Sequence, residues 1–392
     1  MVEAFINPQM LVWARKRLHY SSQSEAAEKL GVTIEKLAVW ESGQERPSFR
    51  QAQDLAKKLR IPFGYLYLST PPNERLPLPD LRTVADVSPG RPSPDFLEVL
   101  YDALRKQEWY HEQMEAEGVS PLLFVGKFTP SDEPRVIATD ISNTLGIDWE
   151  MRRQSPTWEY FLTALVRKAE NIGVLVLRSG VVGNNTHRPL KYEEFRGFAM
   201  SDELAPLVFI NGNDYKTAQI FTIVHELAHI WIGQSGVSNP DYRKRPHEQY
   251  NPIDQKCDSI AAEVLVPKND FQLRWNSYIT LDQNIQALAT YYKVSAFVVL
   301  RRAYELGQCS QPIFESKYEE LRTRITSKRV STGGDFNRNV LSRNSAVFTT
   351  AVVAALAEGR VLASEAASLL NLKTLTLKRI GTTLLEVGIS SV

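Results

Sequence analysis

Three residues in the middle of the chain could do chemistry together: His225, Glu226 and His229, in the run His225-Glu226-Leu227-Ala228-His229. Histidines four apart project from one face of an α-helix and can chelate a single ion. Zinc (Zn2+) takes neutral imidazole readily and binds tetrahedrally, so two helical histidines fill two of its positions. Glu226, one residue on, is turned by about 100°. That sets its carboxylate beside an open coordination position, where it can accept a proton from water. Zinc lowers the pKa of bound water to about 7, so the set reads as metal-assisted hydrolysis with Glu226 as base. Around these residues Ile220, Phe221, Ile223, Val224, Leu227, Ala228 and Trp231 are apolar, as in a helix buried in a core. Alone, the five-residue pattern also fits two packed histidines and a solvated glutamate.

A catalytic zinc site needs a third protein ligand and one open position. Downstream, residues 254–263 read as a helix that ends before Pro267. Asp254 and Asp258 are four apart and share a face. Glu263 is nine residues from Asp254, or about 180° round the helix. Either the aspartates or Glu263 can face an ion on the first helix, but not both. Asp258, one turn beyond Asp254, could support a ligating histidine by accepting its N–H. His247, in the loop Arg245-Pro246-His247-Glu248, and Cys257 are also chemically possible ligands. Cys257 lies between apolar and small residues and reads better as packing.

Elements that could position this set are visible upstream. An amphipathic helix over 157–171 leads to the apolar strand Gly173-Val174-Leu175-Val176-Leu177. Residues 195–200 and 206–211 read as an antiparallel pair joined by Ser201-Asp202-Glu203, before the long helix with the histidines. The strand at 206–211 is expected to offer an edge to an extended peptide. A helix is expected from about 95 to 117, and Leu122-Leu123-Phe124-Val125 reads as a strand or a short buried helix.

Residues 7–68 read as short helices. Pro8 suits a first turn, Gly31 a left-handed stop, and Thr33 a cap for a helix through Trp40. Helix, glycine turn, helix is the DNA-reading arrangement called helix-turn-helix. After residue 270 the pattern is helical again. Residues 285–300 give a similar outline, and Ser364 to Lys373 repeat the register of Ser24 to Thr33, with Asn371 in place of Gly31. Thr332-Gly333-Gly334-Asp335 reads as a flexible joint, and seven prolines between 71 and 94 mark a linker.

Composition bounds the class. A chain of 392 residues with 43% hydrophobic and 23% charged residues reads as a soluble protein of two or three domains. Net charge of +1 gives no overall pull toward nucleic acid or membrane, so any such affinity must be local. Residues 1–68 hold ten Lys/Arg against seven Asp/Glu, a modest excess for phosphate contact. Cys257 and Cys309 cannot build a disulfide framework. No signal-peptide pattern opens the chain, and no apolar run approaches the roughly 18 residues that cross a bilayer. A cytoplasmic location is expected. The expected boundaries are a helix-turn-helix domain at 1–70, a linker at 71–95, a domain holding the histidine helix at 96–270, a helical extension at 271–325 and a C-terminal helical domain at 326–392. The fold class is multidomain and mainly α, with an α+β core around the histidine helix and an all-α N-terminal domain.

Two resemblances sharpen this. Residues 1–68 resemble the phage-repressor (XRE-type) helix-turn-helix family, through Gln23, Gly31-Val32, Trp40-Glu41-x-Gly43 and Pro47. The resemblance implies a pairing of Arg15 with Glu41. It implies that Gln23, opening the second helix, and Thr33, Glu35, Lys36 and Ala38 on the third contact double-stranded DNA, with the third helix facing the major groove. It also admits a homodimer. From Phe209 to Pro267 the chain resembles the ImmA/IrrE family of bacterial metallopeptidases, through the histidine helix and Asp254-x-x-Cys257-Asp258-x-Ile260-Ala261-Ala262-x-x-Leu265-x-Pro267. Pro77-Leu78-Pro79-Asp80-Leu81-Arg82 fits a fused subgroup. This resemblance implies a zincin-like core and an endopeptidase that cleaves a protein, often a transcriptional repressor, in a stress or mobile-element response. It implies Asp254 in place of the family's glutamate ligand, one methylene shorter, and Asp258 in place of an asparagine. The other reading is a non-enzymatic DNA-binding regulator with a structural or sensory metal site, whose fourth ligand His247 or Cys257 would have to supply.

Overall fold

The computed structural model describes residues 2–18, 20, 22–72, 76–81, 92–238, 251–324 and 336–377, apart from the side chains at 324, 336 and 337. His247, Arg82 and the joint at 332–335 lie outside the described residues. Two compact units are present: Met1–Pro77 with Pro89–Glu98, and Leu78–Ser88 with Val99–Val392.

The first unit is helical. Helix α1 (Pro8–Arg17) has Pro8 in its first turn and Asn7 accepting from the Gln9 N–H. Helix α2 (Gln23–Leu30) is capped by Ser22 and ends on Gly31, whose φ of 67° needs a residue without a Cβ penalty. Thr33 accepts from the Lys36 N–H to start α3 (Ile34–Glu41). Ser48 and Gln51 form a reciprocal capping box on α4 (Phe49–Lys58). Leu11, Leu30, Leu37, Trp40 and Leu55 fill the centre, and Ala14, Ala26 and Ala27 let the helices approach closely. The Glu41 carboxylate accepts from Arg15 Nε at 2.6 Å, from Arg15 Nη2 at 3.1 Å and from Gln23 Nε2 at 2.7 Å. One carboxylate thus ties α1, α2 and α3 together.

The second unit opens with α5 (Pro94–Ala116, entering from the first unit), α6 (Pro134–Leu145), α7 (Trp149–Arg153) and α8 (Trp158–Asn171). Strands β1 (Leu175–Ser179), β2 (Val181–Val182), β3 (Asn185–Pro189), β4 (Gly197–Met200) and β5 (Leu207–Asn211) precede α9 (Lys216–Trp231), and β6 (Gly236–Ser238) follows it. The main sheet runs β1-β5-β4-β6, with β1 and β5 parallel and the other pairs antiparallel, while β2 and β3 form a separate pair.

Two expectations are corrected here. Strand β5 is an interior strand, paired on both sides, so it offers no edge to a peptide. Its five residues are all buried, the mark of a central strand rather than an alternating edge. The edges are β1 and β6, and β6 had no signal in the sequence. Leu122–Val125 is neither strand nor helix but a run of turns, with Leu123 90% exposed.

Every residue of α9 from Ala218 to Trp231 is buried, because the helix lies between the sheet and a helical layer. That layer continues as α10 (Pro252–Leu265), α11 (Lys268–Arg274), α12 (Leu281–Tyr292), α13 (Ala296–Glu305) and α14 (Gln311–Arg324). Ile285, Leu288, Tyr292, Val299, Leu300 and Phe314 belong to the same apolar cluster as α9. Helices α11 to α14 therefore complete the core around α9 instead of forming one of their own. Helices α15 (Phe336–Asn344), α16 (Ala346–Ala357) and α17 (Ala363–Leu369) end the described chain. The buried Glu170 carboxylate accepts from Ser345 Oγ at 2.5 Å and from the Ala346 N–H at 2.8 Å, capping α16 from α8. Lys293 and Asn371 take positive φ at helix ends, as Gly31 does in the first unit. Asparagine tolerates that conformation, as the repeated register at 364–373 implies. No single helix among the described residues is long and apolar enough to cross a membrane.

Arg152 holds the helical layer together. It is 6% exposed, and its guanidinium donates to Tyr292 O at 2.8 Å and Val264 O at 3.0 Å. These are carbonyls in the last turns of α12 and α10, where a cation meets the negative ends of two helices. Burial lowers its pKa to about 10, so it stays charged at neutral pH. Arg152→Met removes both bonds and leaves two buried carbonyls unpaired, at about 1–3 kcal/mol each. A lower urea midpoint for this variant, read by helical circular dichroism, is the expected outcome; an unchanged midpoint counts against the role.

Candidate metal centre

The buried helix α9 carries Gln219, Thr222, His225, Glu226 and His229, all 2% exposed or less. Polar groups so buried need partners. Gln219 Nε2 donates to Gly212 O and Asp214 O, and the Thr222 hydroxyl donates to Ala218 O. The start of α9 is fixed from the loop before it, where the Arg196–Asp214 ion pair is buried at 2.7 Å and Asp214 Oδ1 accepts from the Tyr215 N–H. At its other end Trp231 donates to Asp140 Oδ2 at 2.9 Å and stacks on Phe124 with ring centroids 4.5 Å apart.

Helix α10 packs against α9 and brings Asp254 and Asp258 to it. His225 Nε2 and His229 Nε2 are 3.2 Å apart, and Asp254 Oδ1 lies 3.7 Å from the first and 3.3 Å from the second. Tetrahedral zinc with bonds near 2.0–2.2 Å requires ligand atoms about 3.3–3.5 Å apart. These three residues are the group able to hold a metal ion among the described residues. On the far side of the ring, His225 Nδ1 lies 2.9 Å from Asp258 Oδ1, a contact that fixes the ring and leaves Nε2 facing the cluster.

Three of the four buried side-chain atoms that lack a hydrogen-bond partner among the described residues belong to this site, the fourth being Gln219 Oε1. Glu226 Oε2, His229 Nδ1 and Asp254 Oδ1 are buried without a hydrogen-bond partner. Burial acts against charge on His225, yet the Asp254 and Asp258 carboxylates outweigh it and raise the imidazole to about 10. Burial opposes the Asp254 carboxylate too, but the two imidazoles hold it below its ordinary range. His229 is pushed down by burial. A proton and a cation therefore compete for the same lone pairs, the setting in which metal uptake displaces protons. The donor set, its spacing and its orphaned oxygen fit a divalent ion.

Glu226 is pushed up to about 8 by burial, against the opposing pull of His225 and of the Ser238 hydroxyl. Ser238 Oγ donates to its Oε1 and leaves Oε2 open. Beside them runs β4: a Cβ on Gly197 would stand 2.6 Å from Glu226 Oε1, 2.8 Å from Thr222 Cγ2 and 2.9 Å from Phe209 O. Only glycine lets the strand pass this close. Neither Ser238 nor the role of Gly197 was expected. A glycine inside a strand is a signal for close approach, whereas nothing local marks Ser238, twelve residues beyond Glu226.

The remaining candidates fall elsewhere. Glu263 turns away from α9, where its carboxylate pairs with Arg302 and accepts from the Lys268 N–H. Cys257 is fully buried, its thiol pushed well above the ordinary range by burial, and is not in the metal-capable group. In the first unit, Glu35 and Lys36 stand exposed on α3 beside the exposed Ile34, and Thr33 spends its hydroxyl on the cap. Ala38 is half-buried, and the Gln23 amide is engaged by Glu41.

Two family models match the chain. Residues 169–304 match a peptidase family described as the IrrE N-terminal-like domain, and residues 11–66 match a helix-turn-helix family. No curated protein matches it. The chain joins an N-terminal XRE-type helix-turn-helix to an ImmA/IrrE-type peptidase domain.

The geometry separates the two acidic candidates on α10. Asp254→Ala should remove most bound metal, measured by mass spectrometry of protein purified with added zinc. Glu263→Ala should keep the metal and lower stability through loss of the Arg302 pair. Equal metal content in wild type and Asp254→Ala excludes Asp254 as a ligand.

Proposed function

We propose that the protein is a zinc-dependent endopeptidase with a DNA-binding domain, acting on a transcriptional regulator or another protein in the same cell. The observation that carries the enzyme reading is the meeting of His225 Nε2, His229 Nε2 and Asp254 Oδ1 within 3.7 Å of one another, beside a buried glutamate with one open oxygen. Three protein ligands leave tetrahedral zinc one position for chemistry, as catalytic sites require. A fourth ligand would favour a structural or sensory site, and Cys257 stands outside the group.

Zinc, when bound, would polarise the scissile carbonyl and acidify water at the open position. Glu226 does the proton work. In its ionised form, its open Oε2 takes the proton of the attacking water and returns it to the leaving amine. Ser238 holds the other oxygen, so the carboxylate keeps one orientation through both transfers. Asp258 keeps the His225 ring turned with Nε2 inward. The XRE-type domain supports a link to transcription, and the ImmA/IrrE-type domain supports a role in a stress or mobile-element response. The two free cysteines fit a reducing cytoplasm.

Glu226→Gln should keep zinc and abolish cleavage of a protein substrate found by co-expression with the products of neighbouring genes. Wild-type cleavage by that variant overturns the peptidase reading. For the first unit, binding to double-stranded DNA from the upstream region should weaken linearly in log–log against salt, with a shallow slope set by few phosphate contacts. Lys36→Ala should weaken it further. Salt-independent association, or none, would point to a protein partner for α3.

A further inference from the structure

The outer edge of β6 is not bare. Inside the second unit, Asp80 bridges Val237 in parallel: the Val237 N–H donates to Pro79 O at 3.0 Å, and the Leu81 N–H donates to Val237 O at 3.0 Å. A short segment of the chain itself, Leu78–Leu81, thus lies along the sheet edge as an added strand. This is the mode by which extended peptides are held at exposed edges.

Strand alternation says which way the residues of β6 face. Gly236 and Ser238 share one face and Val237 the other. Ser238 reaches Glu226 on α9, so that face is the one with the candidate site. Leu81 is 6% exposed, and its Cδ1 and Cγ occupy the space that a Cβ on Gly236 would need. Its side chain therefore packs over Gly236, two residues along the strand from Ser238, or about 7 Å. Main-chain pairing on one residue and an apolar side chain seated on a glycine beside the catalytic face are the contacts an extended peptide would make. Among the described residues no other strand of the sheet offers them: β5 and β4 are paired on both sides, and the other edge, β1, carries α15.

We propose that the outer edge of β6 is the docking site for an extended protein segment, with an apolar side chain over Gly236, and that Pro79–Leu81 occupies it in competition with substrate. The inference rests on the peptidase reading and adds to it a recognition mode and a built-in restraint. Two bonds and one leucine make a small contact, so a longer substrate strand with an apolar residue in register can displace it. The segment holds the resting enzyme at low activity toward proteins that lack such a strand.

The test uses the full-length, zinc-loaded protein and β-casein as an unstructured probe substrate. Leu81→Asp removes the apolar anchor. Gly236→Ala evicts the same side chain from the other partner and guards against a folding failure of the first variant. Both should raise casein cleavage at least five-fold over wild type and speed hydrogen exchange at the Val237 amide. A synthetic peptide with the sequence of residues 77–83 should reverse the gain in Leu81→Asp. Faster exchange at Val237 without faster Glu226-dependent cleavage in either variant overturns the proposal and leaves the peptidase reading standing. Absence of Glu226-dependent cleavage in all three proteins sinks the peptidase reading and the restraint with it.

Discussion

Everything in the second unit depends on burying α9 on all sides. A helix placed between a sheet and a helical layer has no solvent face on which to put polar groups, so each one it carries must be answered by a neighbouring element. The Gln219 Nε2 and the Thr222 hydroxyl are answered by main-chain carbonyls, while Gln219 Oε1 stays unpartnered. His225, Glu226 and His229 are answered only in part, by Asp254, Asp258 and Ser238. The remainder is a cluster of facing lone pairs and one unpaired glutamate oxygen, at a place where a lone charge would cost several kcal/mol. Such a shortfall is costly as a structural feature and useful as a metal site.

The surrounding architecture follows from that requirement. Helix α10 is placed so that one stripe, Asp254 and Asp258, meets the histidines, while the opposite side sends Glu263 to Arg302. The sheet can come close enough to orient Glu226 because β4 carries glycine at 197 and β6 ends in Ser238. Helices α11 to α14 complete the apolar wall, and Arg152 secures the ends of α10 and α12 from within. The N-terminal unit uses the same economy on a smaller scale, with the Glu41 carboxylate joining three helices through Arg15 and Gln23. Gln23, which the family resemblance places against DNA, thereby has a structural task as well.

The main legible signals in the sequence were local. Spacing of four put His225 with His229 and Asp254 with Asp258, and a spacing of nine put Glu263 on the other side, because a helix repeats every 3.6 residues whatever surrounds it. Gly31 and Asn371 announced left-handed helix ends, since few residues accept that backbone. The apolar run at 173–177 announced a buried strand, and 195–200 with 206–211 an antiparallel pair. From these the helix-turn-helix, the histidine helix and the α+β character of the core could all be read.

Tertiary structure decided what local periodicity cannot carry. Whether Asp254 or Glu263 meets the histidines depends on how α10 is rotated against α9, and the geometry of each helix alone permits both. Whether 207–211 is an edge or an interior strand depends on β1, some thirty residues away in the chain, pairing with it in parallel. Ser238 acquired a role because β6 folds back beside β4, and Leu81 because Gly236 leaves room for it at the edge. Each is set by a contact between residues far apart in sequence. Such a contact is chosen by the packing of the whole core, and no short stretch of residues records it.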